Sequence, residues 1–591
     1  MKQTKNTLQL IQLWSYLKKY RLPFFGAIAL TILMAVANVL EPYIIGISIT
    51  EIGNNVKDMI NDVPNAGINY DFLIWILLIY FGRGLLYQVT TFFSQRLMTK
   101  VVQQSMLDLR ADLDQKINRL PVSFFDRQSL GDILSRVTND VDSISNALQQ
   151  SLLQIVNAIL GISFALSMLL FISWRLTIIA LIMIPLSYMI SKKITDISQP
   201  YFRKQAKHLG ELNGFVQENL TGFSVIKLYG KEDDSLDNFK KINGSLQDAG
   251  FKAAFISGLM NPFTALISNG GYILIAVIGV LEAIAGTMTI GNVQAAAQYV
   301  WQINQPISIM TQLSAILQSA TAATQRIFEF LNEEEMVEGD VQPLPETIKG
   351  DISFENISFS YDGAQLLIKN FDVQVKSGDT VAIVGPTGAG KTTMINLLMR
   401  FYDVDSGAIK LDGHDIRSFS RQDYRSQFGM VLQDAWLYQD TIAENIRFGN
   451  LDASNDAVMS AAESANVDHF IQTLGDGYKT IINQEASNIS LGQKQLLTIA
   501  RTFIADPKVL ILDEATSSVD TRLEALIQAA MAKIMDGRTT FVIAHRLSTI
   551  RDADVILVMD QGEIIEQGKH DDLLEQKGFY HDLYNSQFQE N

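Results

Sequence analysis

The 591-residue sequence contains no cysteine. Disulfides, Cys-ligated zinc and thiol nucleophiles are therefore excluded. Charge is also scarce: Asp, Glu, Lys and Arg together make up 19% of the residues. That charge is acidic on balance, with a formal net value of −16. The basic face of a nucleic-acid-binding protein is missing, and no nucleic-acid partner is expected. No short internal repeat is visible. No small-residue cleavage site follows the apolar run after Lys18, Lys19 and Arg21, and the run is longer than a signal-peptide core. It reads as a first spanning helix with its N-terminal side in the cytoplasm.

The mean hydropathy of +0.13 is high for a chain with so much polar sequence near its C-terminus. The length predicts two or more folding units. The apolar excess is concentrated before residue 320, in the stretches 22–50, 72–98, 145–172, 175–197, 257–283 and 290–318. Each reaches the ~20 apolar residues needed to cross a bilayer. Tyr70, Trp75, Trp174 and Tyr188 lie near their ends, as interfacial aromatics do.

Basic residues set the orientation. Arg96, Lys100, Arg110, Lys116, Arg119, Arg127 and Arg136 crowd 96–136, and lysines are frequent in 192–252. By contrast, 51–71 has only Lys57 among Glu51, Asp58, Asp62 and Asp71. The stretches 99–144 and 198–256 should therefore face the cytoplasm, as helical extensions of the spans. Glu41 lies within the first span, and an intramembrane carboxylate is costly enough to suggest a function. It is a candidate contact for a cationic ligand, with Arg83 as the alternative partner. Gln298, Tyr299, Trp301 and Gln302 are candidate cavity-lining residues of the last span.

Beyond residue 318 the character changes. The acidic cluster at 332–335 and the stretch GDVQPLPETIKG read as a linker. Strand candidates follow: ISFENISFSY, DTVAIVG, FGMVLQ, VLILDE, TTFVIAH and DVILVMD. Helices are expected at 391–400, 492–505 and 522–535. This alternation predicts an α/β domain with a substantially parallel sheet. The expected organisation is a six-helix all-α transmembrane domain at 1–330, a linker at 331–349 and an α/β domain at 350–591, a P-loop NTPase by its segment Gly385-Pro386-Thr387-Gly388-Ala389-Gly390-Lys391-Thr392.

The strand VAIV runs into Gly385-Pro386-Thr387-Gly388-Ala389-Gly390-Lys391-Thr392-Thr393. This is the phosphate-binding pattern G-x-x-x-x-G-K-[ST], set between strand and helix. Glycine lets backbone approach phosphate, and the loop N–H groups and helix N-terminus supply partial positive charge. Lys391 is expected to reach the β- and γ-phosphates of ATP, and Thr392 to place its hydroxyl on Mg²⁺. Val509–Leu512 form an apolar strand that ends in Asp513-Glu514. Asp513 emerges where α/β sheets bind ligands and is expected to hold Mg²⁺ through water. Glu514 is the candidate for polarising the attacking water.

With these residues in place, the C-terminal half resembles the nucleotide-binding domain of ABC transporters. The whole chain resembles an ABC half-exporter, six spans fused ahead of one such domain. The diagnostic element is Ile489-Ser490-Leu491-Gly492-Gln493-Lys494-Gln495, similar to the family signature LSGGQ-x-Q. Read from its residues alone, it is a Ser-capped helix start whose N-terminus suits an anion. The resemblance implies further roles. Tyr361 would stack on adenine. Gln433 would contact Mg²⁺ and sense the membrane domain. Ser518, Val519 and Asp520 would form the loop that crosses to the partner, and His545 would hold the γ-phosphate and the catalytic carboxylate. It also implies a second half-transporter chain, because each ATP would lie between the P-loop of one chain and Ser490, Gly492 and Gln493 of the other. The segments 121–140, with Phe124, Phe125 and Asp126, and 210–230, with Gln217 and Glu218, lie where the family couples its two domains.

One residue departs from the pattern. Leu491 stands where the signature has glycine, adding bulk and restricting φ beside a phosphate. Glu514 and His545 are intact. The expectation is a heterodimer, resembling bacterial heterodimeric multidrug exporters, whose other chain has a regular signature and a degenerate Walker B carboxylate. The implied activity is ATP-driven export of hydrophobic or cationic compounds across the cytoplasmic membrane of a bacterium, in contact with membrane lipid. Lipid flipping, peptide export and a non-transporting regulatory ATPase are the alternatives.

Overall fold

The computed structural model describes residues 12–588, apart from 65, 337, 339–340, 362, 364, 433–434, 484–485, 487, 514–520 and 544–549. The chain divides into two compact units, one comprising the residues up to Asn118 together with Ser129–Glu334, the other Arg119–Gln128 together with Glu335 onward.

The first unit is built of helices and their connecting turns, with no strand among its described residues. Its long helices are α1 (Arg21–Ile60) and α2 (Tyr70–Arg119), then, after the short α3 (Val122–Arg127) and α4 (Leu130–Ser135), α5 (Val141–Ile172), α6 (Trp174–Thr221), α7 (Phe223–Leu228, short), α8 (Glu232–Gly258), α9 (Met260–Ile284) and α10 (Ile290–Leu331). Of these, α3 belongs to the second unit. At 1.5 Å per residue the 50-residue α2 is about 75 Å long, more than twice the hydrocarbon thickness. The polar stretch after the second span is thus a continuation of the same helix, as its few breakers predict. Five helical stretches among the described residues are long and apolar enough to cross a membrane: Arg21–Ile60, Tyr70–Arg119, Leu130–Ile172, Trp174–Thr221 and Glu232–Ile284. The remaining span candidate, 290–318, lies in the 42-residue α10.

These helices turn apolar side chains outward. Phe81 on α2 is 71% exposed, and Trp75, Leu77 and Leu78 on the same helix are exposed beside it. Water would penalise such a surface and hydrocarbon does not. Inside the unit, small residues bring helices together. Ala165, Ala180, Ala295, Ala296 and Ala297 are buried in one cluster with Val39, Leu169 and Tyr299. The closest approach joins α1 and α10: a Cβ on Gly291 would lie 1.7 Å from the Gly46 carbonyl oxygen. Only hydrogen fits there. Thr50 donates to Thr289 one turn further out, at 3.1 Å.

The polar groups of the spans find partners. Arg83 pairs with Glu41 at 2.8 Å, and the Tyr80 hydroxyl donates to the same carboxylate at 3.1 Å. Arg83 is therefore the partner of Glu41, as the apolar setting suggested. Tyr299 departs from expectation. It lines no cavity: its ring is fully buried, and its hydroxyl donates to the Val39 carbonyl at 2.8 Å. Gln302 likewise donates to the Asn38 carbonyl at 3.3 Å, whereas Trp301 is exposed. Two of the four candidate cavity-lining residues, Tyr299 and Gln302, are thus bonded to the backbone of α1 instead.

The second unit carries two sheets. Strands β1 (Ile352–Phe359), β2 (Ile368–Val375), β4 (Ser406–Leu411) and β5 (His414–Asp415) form an antiparallel sheet in the order β2-β1-β4-β5. The larger sheet combines β3 (Thr380–Val384), β6 (Phe428–Val431), β7 (Val509–Asp513), β8 (Thr539–Ile543), β9 (Val555–Asp560) and β10 (Glu563–Gly568) in the order β10-β9-β3-β8-β7-β6. It is parallel except for the β9–β10 pair. Its central strands read as continuous apolar runs because both faces are covered: β7 is buried from Val509 to Leu512, and β8 is buried throughout. Helices α11 (Lys391–Leu398), α12 (Leu491–Ala505) and α13 (Thr521–Met535) follow the sheet strands.

Candidate nucleotide site

The centre of the site is the turn from β3 into α11. Gly385 has φ +153°, and a Cβ there would sit 2.2 Å from the Met559 carbonyl oxygen of β9. Gly388 and Gly390 have φ of +86° and +102°, in the left-handed region that glycine adopts at no steric cost. The loop closes on itself through Ala389 N–H donating to the Pro386 carbonyl at 3.2 Å. Gly562 N–H, from the β9–β10 turn, holds the Ala389 carbonyl at 3.1 Å. The first-turn N–H groups of α11 therefore end in a curved backbone cradle, a ready anion site.

Lys391 lies across this loop. Its ammonium donates to the carbonyls of Gly385 at 2.6 Å and Pro386 at 3.0 Å. Burial pushes it below the usual lysine range, and the Asp513 carboxylate pulls in the opposite direction. Lys391, the first residue of α11, and Asp513, the last residue of β7, thus feel one another. Thr392 is exposed, whereas Thr393 is buried and accepts a hydrogen bond from the Tyr361 hydroxyl at 3.3 Å. A threonine hydroxyl and a carboxylate are hard oxygen donors, the kind a magnesium ion takes alongside phosphate and water. The donor set therefore fits Mg²⁺.

Tyr361 follows β1 and sits beside α11. Asn396 of α11 donates to its hydroxyl at 3.3 Å. Its ring meets Phe359 and Tyr402 edge-on, at 4.9 and 4.8 Å between centroids. Tyr402 and Asn396 were not singled out from the sequence. The available signal was an aromatic pair, Phe401-Tyr402, directly after the phosphate-loop helix.

The signature segment forms the start of α12. The Ser490 hydroxyl accepts from Gln493 N–H at 3.4 Å, and the Gln493 side chain accepts from Ser490 N–H at 2.8 Å. This reciprocal pair is a capping box. Leu491 is the first helical residue, so its φ suits leucine and the expected backbone restriction does not arise. Its side chain is 40% exposed at the helix tip, and bulk is what remains of the departure. Gly492 is buried. Helix α12 packs on the edge strand β6, which is separated from β3 by β8 and β7. At ~4.8 Å per strand that is about 14 Å across the sheet. The fold thus brings Gly385–Thr393, Tyr361 and Asp513 together and holds Ser490, Gly492 and Gln493 apart from them. Gln433, Glu514, Asp520 and His545 lie outside the described residues.

Residues 24–307 match the ABC transporter transmembrane region family, and residues 368–517 match the ABC transporter family. A fatty acid ABC transporter ATP-binding/permease protein of Mycobacterium bovis is 45% identical over 88% of this chain and 83% of its own length. An uncharacterized ABC transporter ATP-binding protein of Bacillus subtilis is 40% identical over 100% of this chain and 95% of its own. The ATP-dependent lipid A-core flippase of Escherichia coli is 32% identical over 87% of this chain and 89% of its own. The apolar helices make this a multi-pass cell-membrane protein whose ATPase domain is cytoplasmic. The chain belongs to the ABC transporter family, as a half-transporter that carries its membrane region and its ATP-hydrolysing domain in one polypeptide.

Proposed function

We propose that this half-transporter uses ATP hydrolysis to move an amphipathic, lipid-like molecule across the cell membrane. The observation that carries this reading is that relatives spanning more than four-fifths of the chain are named for fatty acid transport and lipid A flipping. The outward-facing apolar helices suit a cargo that reaches the protein from lipid.

In this reading the γ-phosphate lies between Lys391 and the first turn of α11. Tyr361 stacks on the base, and Thr392 and Asp513, with Gln433, hold Mg²⁺, which would neutralise phosphate charge. Glu514 orients a water for attack on the γ-phosphorus, and His545 steadies the group transferred. The bond from the γ-phosphorus to the bridging oxygen breaks, leaving ADP and inorganic phosphate. Ser490, Gly492 and Gln493 serve the P-loop of a second half-transporter, because α12 lies at the far edge of its own sheet.

Export of hydrophobic or cationic drugs by an unlike pair is a second reading, favoured by Leu491 at the tip of α12. Sealed vesicles containing the purified transporter would be loaded separately with labelled palmitate, labelled phosphatidylethanolamine and a cationic dye. ATP-driven movement of palmitate or phospholipid is expected. Movement of the dye alone would overturn the lipid reading and leave the drug reading standing.

A further inference from the structure

Toward the cytoplasm, α1 and α2 are joined by polar side chains. Thr31 and Ser94 share a hydrogen bond at 2.8 Å, and further along Arg83 pairs with Glu41 at 2.8 Å. Outward of that pair a cavity of about 440 Å³ lies between the two helices. Ile45, Ser48 and Ile52 line it on α1, and Leu73, Leu77 and Tyr80 on α2. Spacings of three and four residues put each set on one helix face, and Glu41, four residues before Ile45, ends the α1 stripe. The hydroxyls in this set already donate within the protein: Ser48 to the Ile44 carbonyl at 3.3 Å and Tyr80 to Glu41 at 3.1 Å. The groove therefore presents hydrocarbon to whatever fills it.

Its length matches one leaflet. From Tyr70, at the outer end of the lining, to Tyr80, beside the Glu41–Arg83 pair, α2 advances ten residues, about 15 Å, half of the ~30 Å hydrocarbon thickness. Ile74 and Leu77 in its wall are exposed, so the groove opens toward lipid. Its outer end is acidic: Glu51 precedes Ile52, and Asp71 follows Tyr70. That end attracts an ammonium and repels a net anionic head. We propose that the groove holds one acyl chain of an outer-leaflet phospholipid with an ammonium head, such as phosphatidylethanolamine, as a resident lipid between α1 and α2. The chain reaches inward to the Glu41–Arg83 pair, and the head stays at the level of Glu51 and Asp71. The lipid covers apolar side chains that the two helices leave uncovered and fills the space between their outer parts. It is separate from the transported molecule, lies within one chain and needs no ATP.

The full chain would be reconstituted in phosphatidylglycerol vesicles doped with a phosphatidylethanolamine probe that carries a photoreactive diazirine midway along one chain. After illumination and proteolysis, residues 45–52 and 73–77 are expected to be labelled about tenfold more than Leu181 and Ile182, which are exposed on the spanning part of α6. Ile45→Trp and Leu77→Trp fill the groove from opposite walls. Each should cut groove labelling about tenfold and leave the labelling of α6 unchanged. A phosphatidylglycerol probe with the same chain should label the groove no more than α6, and ATP should alter none of these results. Groove labelling by the phosphatidylethanolamine probe no higher than that of α6 would mean bulk lipid only. Labelling of α6 with none in the groove would mean that a second half-transporter covers it. Either result would overturn the proposal. Equal groove labelling by the two probes would overturn it too, by removing the ammonium. Loss of groove labelling during ATP hydrolysis would make the occupant cargo, which contradicts a resident lipid and leaves the transport reading standing.

Discussion

Lys391→Ala is expected to lower the ATPase kcat of the assembled transporter by about 100-fold or more, the scale of removing one preorganised charge from a phosphoryl-transfer site. The lysine is held for this task. Its ammonium rests on two carbonyls of the loop, at 2.6 and 3.0 Å, and has been driven below its usual titration range by burial. An incoming phosphate offers it a stronger, charged acceptor in the same place. The loop has other supports, in the backbone of Gly385, Gly388 and Gly390 and in the Gly562–Ala389 bond. The variant should therefore melt within a few degrees of the native protein while losing turnover, as measured by phosphate release in liposomes. A kcat within threefold of native would remove Lys391 from the chemistry.

Leu491→Gly is expected to raise the ATPase rate of the chain assembled with itself by about tenfold, equivalent to roughly 1.4 kcal/mol of transition-state stabilisation. Leu491 is the first residue of α12 and projects its side chain at the helix tip. Partial positive charge from the unsatisfied N–H groups is concentrated there. In the proposed shared-site arrangement that tip would approach the γ-phosphate bound by the other chain, and the four side-chain carbons would hold it away. Glycine removes the obstruction and leaves the Ser490–Gln493 capping box intact, at a helix-propensity cost below about 1 kcal/mol. Phosphate release from the purified chain, before and after the substitution, measures the effect. An unchanged rate would show that the leucine does not weaken the signature, and the case for an unlike partner would lose its support.

The parts of the protein most visible in its sequence are those where physics leaves few choices. VLILD must be a buried strand, since four consecutive apolar residues suit a sheet covered on both faces, and β7 is that strand. The phosphate loop was visible because only glycine tolerates the backbone of Gly385, Gly388 and Gly390. The Glu41–Arg83 pair was visible because a charge inside a membrane has few other options. The antiparallel sheet was largely hidden. Apart from β1, its strands were not singled out: IKNFDVQV carried a signal in the alternation Phe371-Asp372-Val373-Gln374-Val375, whereas SGAIKL and the two-residue His414–Asp415 are too short for periodicity to reveal. Tyr299 was misplaced because its position in the last span does not say whether a neighbouring helix or a cavity lies against it; α1 does. The Tyr402–Asp126 bond joins residues 276 positions apart, which no local pattern encodes.

The central claim is that ATP splitting at this phosphate loop drives cargo through these helices. Sealed vesicles containing the transporter, with labelled amphiphile on one side, test it when flux and phosphate release are recorded together, first with ATP and then with a non-hydrolysable analogue. Flux should rise and fall in proportion to phosphate release and cease with the analogue. Flux that continues undiminished with the analogue would contradict the claim.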